Sequence, residues 1–164
     1  LLPFIDAANI DFKSFNPEFY KKICKGKLSP LLDSLKIFKE YCFIEITNLI
    51  IPTLNDSEEE IENLVSLISE NLCRDTPLHF SRYFPNYKLT LPPTPIKTLK
   101  KAYNIALKKL YFVYLGNVWE ENFSNTYCPD CKNLLIERIG YNTKILNLER
   151  DTCKKCGRKI SGIF

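Results

Sequence analysis

The stretch Ile5-Asp6-Ala7-Ala8-Asn9-Ile10-Asp11-Phe12-Lys13-Ser14 governs how the rest of this chain is interpreted. It begins apolar, alternates, and finishes with an acid and a base two residues apart. Residues i and i+2 of a strand point to the same side, so Asp11 and Lys13 should project together from the strand's carboxyl end. Folds of the α/β class bind ligands outside the carboxyl ends of parallel strands. The pattern predicts a charged pair at a ligand site, with a plain surface ion pair as the alternative.

The composition is that of an ordinary globular chain, with 45% hydrophobic and 26% charged residues among 164. This length allows one domain of moderate size with a small appendage. The net charge of +4 is spread along the sequence, which makes nucleic acid an unlikely partner on charge grounds alone. No apolar run reaches the roughly 18 residues that span a bilayer, so no membrane partner is expected. Without a signal peptide pattern, the predicted location is cytoplasmic.

Apolar segments with polar ends alternate with amphipathic helical segments along the first part of the chain. The predicted strands are the opening stretch and residues 43–51, 77–84 and 111–115, and the last predicted helix covers residues 95–110. Such alternation predicts a parallel sheet with right-handed crossovers. A complete (β/α) barrel takes roughly 250 residues. We therefore predict an α/β fold in which residues 1–118 form a partial (β/α) barrel of about four units with parallel strands.

Further polar residues lie at or near the ends of the predicted strands. Asn48, His79, Arg82 and Asn117 are candidates for the same cleft. His79 is the single histidine of the chain, and a satisfied core histidine is the alternative interpretation. The planar guanidinium of Arg82 would suit an anion. Glu45 lies inside an apolar strand, where a carboxylate needs either a partner such as a neighbouring lysine or a ligand cavity.

An acidic run, Glu58-Glu59-Glu60, follows Ser57. Serine at a helix N-cap with glutamate three residues later forms a capping box, and acids suit the positive end of the helix dipole. This interpretation explains the acidic run without a functional role.

Two Cys-x-x-Cys pairs, Cys128 with Cys131 and Cys153 with Cys156, are separated by 21 residues (132–152). In a chain without a secretory signal, such pairs favour metal binding over disulfides. Two tight turns that direct their thiolates at one ion complete a tetrahedral site. Zinc in a closed, structural site is favoured, while iron or a cluster stays open on spacing alone. The remaining cysteines are expected to be structural thiols, namely Cys24, Cys42 and Cys73.

The segment between the two cysteine pairs contains two short apolar runs, 134–138 and 144–148, that would form a hairpin. We therefore predict a small zinc-ribbon-like four-Cys module over residues 119–164. Lys154, Lys155, Arg158 and Lys159 make this module locally basic, but nearby acids reduce the net charge of the patch. A rival interpretation follows from this module: a non-enzymatic α/β scaffold whose zinc ribbon binds a protein or a nucleic acid.

Several tracts of the chain resemble one known family, the radical S-adenosylmethionine proteins of the AmmeMemoRadiSam system, which are relatives of pyruvate formate-lyase activating enzyme. The tracts run in the same order and cover essentially the whole chain. They are Asp6-Ala7-Ala8-Asn9-Ile10-Asp11-Phe12-Lys13, Thr47-Asn48-Leu49-Ile50-Ile51-Pro52 with Asn55-Asp56, His79-Phe80-Ser81-Arg82-Tyr83-Phe84-Pro85, Pro92-Pro93-Thr94-Pro95, Tyr114-Leu115-Gly116-Asn117-Val118 and the two cysteine pairs.

The resemblance implies a partial barrel that holds a [4Fe-4S] cluster and S-adenosylmethionine at its C-terminal face. Reductive cleavage there yields a 5′-deoxyadenosyl radical that abstracts hydrogen from a substrate, which is unknown and for which a protein is one candidate. The resemblance also implies that Asp11 and Lys13 contact S-adenosylmethionine. An ammonium suits the carboxylate of the methionine moiety, and an aspartate accepts from its amino group or from a hydroxyl. Asn48, His79, Arg82 and Asn117 are the further cofactor candidates.

The chain departs from this family at the cluster-binding loop. None of its seven cysteines has the spacing Cys-x-x-x-Cys-x-x-Cys. The chain also contains no methionine. We therefore expect the C-terminal portion of a longer enzyme, with the cluster ligands upstream, no catalytic residue among these residues, and no activity of this portion by itself.

Overall fold

Four parallel strands in sequence order form the central sheet. The computed structural model describes residues 2–119 and 122–163, and in it the strand order is β1-β2-β3-β4. The strands are β1 (Ala7–Asp11), β2 (Phe43–Ile50), β3 (Leu78–Arg82) and β4 (Val113–Gly116). In the ladder Thr47 lies opposite both Asp11 and His79, and His79 lies opposite Tyr114. The predicted parallel α/β sheet is confirmed.

Helices connect consecutive strands. They are α1 (Pro17–Phe19), continued by a π-helical turn (Tyr20–Cys24), α2 (Leu28–Tyr41), α3 (Glu58–Leu67), continued by a second π-helical turn (Ile68–Leu72), and α4 (Ile96–Ala106). The side chain of Asn16 caps α1 by accepting from the Glu18 N–H, as Ser57 caps α3 by accepting from Glu60. Across the described parts of the chain, no helix combines the length and the apolar character needed to cross a membrane.

Helices α2, α3 and α4 pack on one face of the sheet, where the buried strand residues are the even-numbered ones of β2 and β3 and the odd-numbered ones of β4. Ile46, Ile50, Leu78 and Phe80 each have 0% exposure, and Leu99 of α4 is equally buried between them. Burial of each such side chain contributes about 1.5–3 kcal/mol. This face is the main core of the molecule.

The opposite, open face of the sheet carries polar side chains. They are Asn9, Glu45, Thr47, His79, Ser81 and Tyr114. Parallel sheets in other proteins normally have both faces covered, and their covered faces are apolar. Within the described residues the strands form an open sheet with β1 and β4 at its edges, so barrel closure stays a prediction.

Several element boundaries differ from the sequence prediction. The first residues form a 3-10 turn (Leu2–Phe4) in which Phe4 is 86% exposed, so the first strand begins later than predicted. β3 ends at Arg82 because the Tyr83 N–H leaves the ladder and donates to Thr94 Oγ1 at 3.1 Å. The predicted helix 95–110 ends at Ala106, and a final turn brings Leu110 into the core.

The cysteine-containing region forms two small sheets. One holds β5 (Thr126–Tyr127), β6 (Leu134–Ile139) and β7 (Asn142–Ile145), and the other holds β8 (Leu148–Glu149) and β9 (Thr152–Cys153). β6 and β7 are antiparallel, which confirms the predicted hairpin, but Leu148 pairs with Cys153 instead of joining it. This four-cysteine module (residues 122–163) shares an apolar cluster with Phe112 beside β4, and a domain boundary at residue 118 stays a prediction.

Candidate functional site

The charged pair lies where β1 ends. Lys13 Nζ is 2.9 Å from Asp11 Oδ1, although Lys13 itself follows the last strand residue. The side chains are 30% and 61% exposed, so a ligand can reach both. The sequence prediction that the two side chains meet is confirmed, and their binding of a cofactor stays a prediction.

Two buried asparagines hold the backbone that carries Lys13. Asn48 is 3% exposed and Asn55 is 2% exposed. The amide of Asn55 donates to the carbonyl oxygens of Lys13 at 2.6 Å and Leu49 at 2.9 Å. The amide of Asn48 donates to the carbonyl oxygens of Phe12 at 2.8 Å and Lys13 at 3.2 Å. Together these bonds fix the loop after β1.

Asn48 therefore lies behind the loop, where it is buried, and its contact with a cofactor stays a prediction. It is one of the β2 residues that are buried and face the helices, and its amide nitrogen donates to backbone carbonyl oxygens. Its Oδ1 atom is buried and has no hydrogen-bond partner among the described residues. The structure gives Asn48 a supporting position behind the loop that carries Lys13.

The first turn of α3 also holds this loop. Glu60 Oε2 accepts from the Phe15 N–H at 2.9 Å, and Glu60 Oε1 accepts from the Ser14 hydroxyl at 3.0 Å. The Lys13 N–H donates to the Tyr20 hydroxyl at 3.0 Å. The predicted cap is present, but the interpretation that it fully explains the acidic run was wrong. The carboxylate of Glu60 binds a loop 46 residues away, which no local pattern reveals.

A network of polar side chains crosses the open face from β1 to β4. His79 Nε2 lies 3.1 Å from Glu45 Oε2, and the Asn9 amide donates to the same oxygen at 3.5 Å. Thr47 Oγ1 donates to Asn9 Oδ1 at 2.8 Å, and the His79 ring stacks on Tyr114 at 4.9 Å. His79 is thus part of an accessible polar network and not a core histidine. His79 is also the partner of Glu45, for which a neighbouring lysine and a ligand cavity were the two alternatives.

Glu45 makes the stability of the fold depend on pH. Its hydrogen bond with His79 holds the pKa of the Glu45 carboxyl below the ordinary value of 4.5, although burial acts in the opposite direction. A carboxyl with a lowered folded pKa stabilises the fold above its unfolded pKa, and that stabilisation is lost as the pH falls through the folded value. We expect Glu45→Gln to lower the free energy of unfolding near neutral pH, with the difference from wild type shrinking in acid.

Urea unfolding between about pH 3 and pH 7 measures this difference. Glu62→Gln is the matched control because Glu62 is exposed on α3. A Glu45→Gln effect that stays constant over the whole pH range would contradict the assignment.

Arg82 and Asn117 lie side by side at the carboxyl ends of β3 and β4. Asn117 Nδ2 donates to the Arg82 carbonyl oxygen at 3.2 Å. Arg82 Nε donates to the Thr94 carbonyl oxygen at 2.8 Å, and its guanidinium lies over the Phe84 ring at 4.8 Å. Both residues are on the same edge of the sheet as Asp11, with Arg82 already engaged by the following loop.

The four cysteines of the two pairs converge on one point. Their sulfur atoms all lie within 4.8 Å of one another, with 3.5 Å between Cys128 and Cys156 and 3.7 Å between Cys131 and Cys153. A tetrahedral zinc ion with Zn–S bonds of about 2.3 Å places its sulfurs about 3.8 Å apart. Sulfurs in a disulfide are about 2.05 Å apart. The group could therefore hold a metal ion, and it is the one such group among residues 2–119 and 122–163.

The two cysteine turns have the same backbone geometry. The Lys132 N–H donates to the Cys128 carbonyl oxygen at 3.0 Å, and the Gly157 N–H donates to the Cys153 carbonyl oxygen at 2.9 Å. Lys132 and Gly157 both have left-handed backbones, with φ of 58° and 75°. This repeated turn directs both thiols of each pair to the same side.

The thiols of the second pair have strongly shifted pKa values. Burial raises the pKa of Cys153, but the backbone N–H groups of Cys156 and Lys155 outweigh it and lower the pKa to about 7. The backbone N–H of Arg158 lowers the pKa of Cys156, whereas burial and the neighbouring sulfurs raise it to about 12. Four thiols this close cannot all ionise without a cation, which is the electrostatic behaviour of a metal site.

Gly157→Ala should destabilise the four-cysteine module. A Cβ at Gly157 would meet no heavy atom within 4 Å, so the cost comes only from the left-handed backbone. We expect a loss of about 1 kcal/mol in the free energy of unfolding, measured by urea denaturation of the metal-loaded protein. Gly26→Ala is the control, since Gly26 is not left-handed. Equal effects of the two substitutions would contradict the turn geometry.

Arg158 joins the second cysteine turn to both the first turn and the sheet. Its guanidinium lies 3.1 Å from Asp75 Oδ1 and 3.5 Å from Asp130 Oδ1, and it covers the Tyr111 ring at 5.3 Å. Sequence reasoning placed Arg158 in a local basic patch. The structure shows it within two ion pairs that dock the four-cysteine module beside β3.

No family model matches the chain. An uncharacterized protein of Methanocaldococcus jannaschii is 49% identical over 161 residues, which is 95% of this chain and 48% of that protein. The chain thus spans about half the length of the curated relative it matches.

Among solved structures, a domain of pyruvate-formate lyase-activating enzyme from Bacteroides vulgatus matches with a TM-score of 0.62, over 71% of this chain and 70% of that chain. The chain has the fold of this activating-enzyme domain. At 13% sequence identity, the likeness to the activating-enzyme domain shows the fold alone.

Proposed function

We propose that this chain is the cofactor-binding portion of a radical S-adenosylmethionine enzyme of the AmmeMemoRadiSam type, related to pyruvate formate-lyase activating enzyme. The observation that carries the proposal is the Asp11–Lys13 pair at the carboxyl end of β1, on a sheet with the activating-enzyme fold. The ordered motifs of the sequence support the same family.

The Asp11–Lys13 pair fits the amino-acid end of S-adenosylmethionine. The Lys13 ammonium binds the carboxylate, and the Asp11 carboxylate accepts from the amino group. The two side chains are 2.9 Å apart and pair with each other. A ligand that carries both a carboxylate and an ammonium can replace this pairing, because each of its charges then pairs with the opposite charge of Lys13 or Asp11. The loop behind them is held by Asn48 and Asn55, so the pair is positioned before the ligand arrives.

Other candidates take different roles in this proposal. His79, oriented by Glu45, faces the open side of the sheet on which the cofactor and the substrate would lie. Arg82 and Asn117 form the rim beside β3 and β4. Asn48 positions Lys13 without touching the cofactor.

S-adenosylmethionine bound to a [4Fe-4S] cluster supplies a 5′-deoxyadenosyl radical, which abstracts a hydrogen atom from the substrate. The residues of this chain do not fit that cluster, because Cys24, Cys42 and Cys73 lie outside the one cysteine group of the described residues. We assign the cluster ligands to a segment outside these 164 residues, in keeping with the length of the relative. The four-cysteine group would hold a structural zinc ion in the reducing cytoplasm.

The deciding experiment uses the longer protein that contains this chain, reconstituted with iron and sulfide without oxygen. We expect S-adenosylmethionine to bind, as measured by calorimetry, and dithionite to drive the formation of 5′-deoxyadenosine. Absence of both binding and 5′-deoxyadenosine in a protein that carries a cluster would overturn the proposal.

A groove beside the four-cysteine module favours the rival function, a binding module for another protein. Its volume is about 780 Å³, and its walls include Trp119, Tyr141 and Phe84, which are 96%, 108% and 46% exposed. Exposed aromatic residues of this kind dominate protein–protein contacts. Among the described residues that line it, Glu137 and Arg138 are the charged ones and their charges offset each other, so this lining has no excess of positive charge to attract a nucleic acid.

A further inference from the structure

A second cavity lies at the opposite end of the strands from the Asp11–Lys13 pair. Its volume is about 790 Å³, which is in the range of sites for small organic ligands. The sheet contributes residues at the amino-terminal ends of its strands, and the four-cysteine module contributes the facing wall. The main apolar side chains that line it are Phe43, Pro77, Phe112, Ile136, Ile145 and Ile160.

The cavity wall is apolar over most of its area and polar at one end. Phe112 and Ile160 are buried at 3% and 5% exposure, but Ile145 is 64% exposed although it faces the cavity. An exposed apolar side chain beside a concave apolar wall marks a place where another apolar group can be buried. The cavity therefore suits the apolar body of a ligand.

The charged residues of the cavity wall are Glu45, Arg138 and Arg150. The Glu45 carboxylate is already engaged by His79 and Asn9. Arg138 Nη1 donates to the Ser124 carbonyl oxygen at 2.9 Å and to Thr126 Oγ1 at 2.8 Å.

The two guanidinium groups outnumber the one carboxylate, and a guanidinium binds carboxylates through two parallel N–H bonds. The guanidinium of Arg138 also interacts with Tyr114, whose ring it covers at 5.6 Å, so its position in the cavity wall is fixed. With two guanidinium groups and one carboxylate, the wall is suited to an anion.

We propose that this cavity binds a small amphipathic anion, with an apolar body and one carboxylate end. The apolar body lies between the sheet and the four-cysteine module, and the carboxylate meets Arg138 and Arg150. The cavity lies toward the residues that begin the strands, such as Ala7 and Phe43, whereas the Asp11–Lys13 pair lies where β1 ends; Glu45, which orients His79, is the residue between them. If no anion binds in this cavity, the cofactor proposal is unaffected. If S-adenosylmethionine does not bind at Lys13, the proposal for this cavity is likewise unaffected.

Decanoate is the probe, titrated into the zinc-loaded protein below its micelle concentration and followed by calorimetry and by NMR of isoleucine methyl groups. We expect saturable binding with shifts at Ile136, Ile145 and Ile160, and none at Ile37 on α2. Decyltrimethylammonium, which has the same apolar chain and the opposite charge, should bind about ten-fold more weakly. Arg150→Gln should reduce this preference.

Two substitutions on one hairpin provide a matched pair. Ile145 lines the cavity and is 64% exposed, whereas Ile139 is 60% exposed and faces the groove of Trp119 and Tyr141. Ile145→Asp should weaken decanoate binding by about ten-fold or more, and Ile139→Asp should leave it unchanged. The proposal is overturned by absence of saturable binding, by equal losses in both variants, or by equal binding of the cationic probe.

Discussion

Cys131→Ser will release the metal of the four-cysteine site and destabilise the four-cysteine module. Cys131 lies 3.7 Å from Cys153, and all four sulfurs lie within 4.8 Å, so each is needed to close a tetrahedral shell. Binding of structural zinc contributes about 10–16 kcal/mol to the folding of small zinc modules. We expect loss of stoichiometric zinc and a decrease of about 3 kcal/mol or more in the free energy of unfolding.

The loss should extend beyond the metal shell. Cys128 and Cys153 belong to the same apolar cluster as Phe112, the residue immediately before β4. Mass spectrometry measures the zinc content. Urea unfolding followed by circular dichroism measures the free energy of unfolding. Cys24→Ser is the matched control, since Cys24 is an exposed cysteine outside the group. Full zinc occupancy in Cys131→Ser would refute the four-cysteine site.

Lys13→Ala will weaken the binding of S-adenosylmethionine while the sheet stays folded. The Lys13 side chain is 30% exposed, and the hydrogen bonds that hold the loop use its backbone and not its ammonium. A charge-assisted hydrogen bond contributes about 1.5–3 kcal/mol, so we expect affinity to fall about 10- to 100-fold. Calorimetric titration of the same reconstituted protein as in the deciding experiment of the proposed function measures the change.

Lys21→Ala provides the comparison, because Lys21 is an exposed lysine in the neighbouring π-helical turn. The melting temperature of Lys21→Ala should match that of the wild type, and that of Lys13→Ala should stay close to it, since the hydrogen bonds that hold the loop use the backbone of Lys13. Unchanged S-adenosylmethionine affinity in Lys13→Ala would refute the role assigned to Lys13, even if the radical chemistry itself were demonstrated.

Local patterns were sufficient to predict the sheet, because each strand and each helix carries its own periodicity. The run that became β2 and the capped start of α3 are local signals of this kind. Element ends were predicted less well. β3 stops because the Tyr83 N–H donates to Thr94 and not to a neighbouring strand, and this bond depends on a residue 11 positions further along the chain.

The same division holds for the candidate site. The Asp11–Lys13 contact follows from a spacing of two residues, and the cysteine group follows from two short motifs. The pairing of His79 with Glu45 requires the register between β2 and β3, and that of Asn55 with Lys13 spans 42 residues. Such contacts have no short-range signal, so sequence reasoning named His79 but not its partner and gave Asn55 no role.

The clamped loop after β1 bears on the entropy of ligand binding. Ordering a flexible loop around a ligand costs about 1–2 kcal/mol per residue, which is subtracted from the affinity. Here Asn48, Asn55 and Glu60 fix the loop during folding. The entropic cost of ordering the loop therefore lowers the stability of the protein and not the affinity for the ligand. A ligand at Lys13 would retain nearly all of its contact energy as affinity, and residues that never touch it would set how tightly it is held.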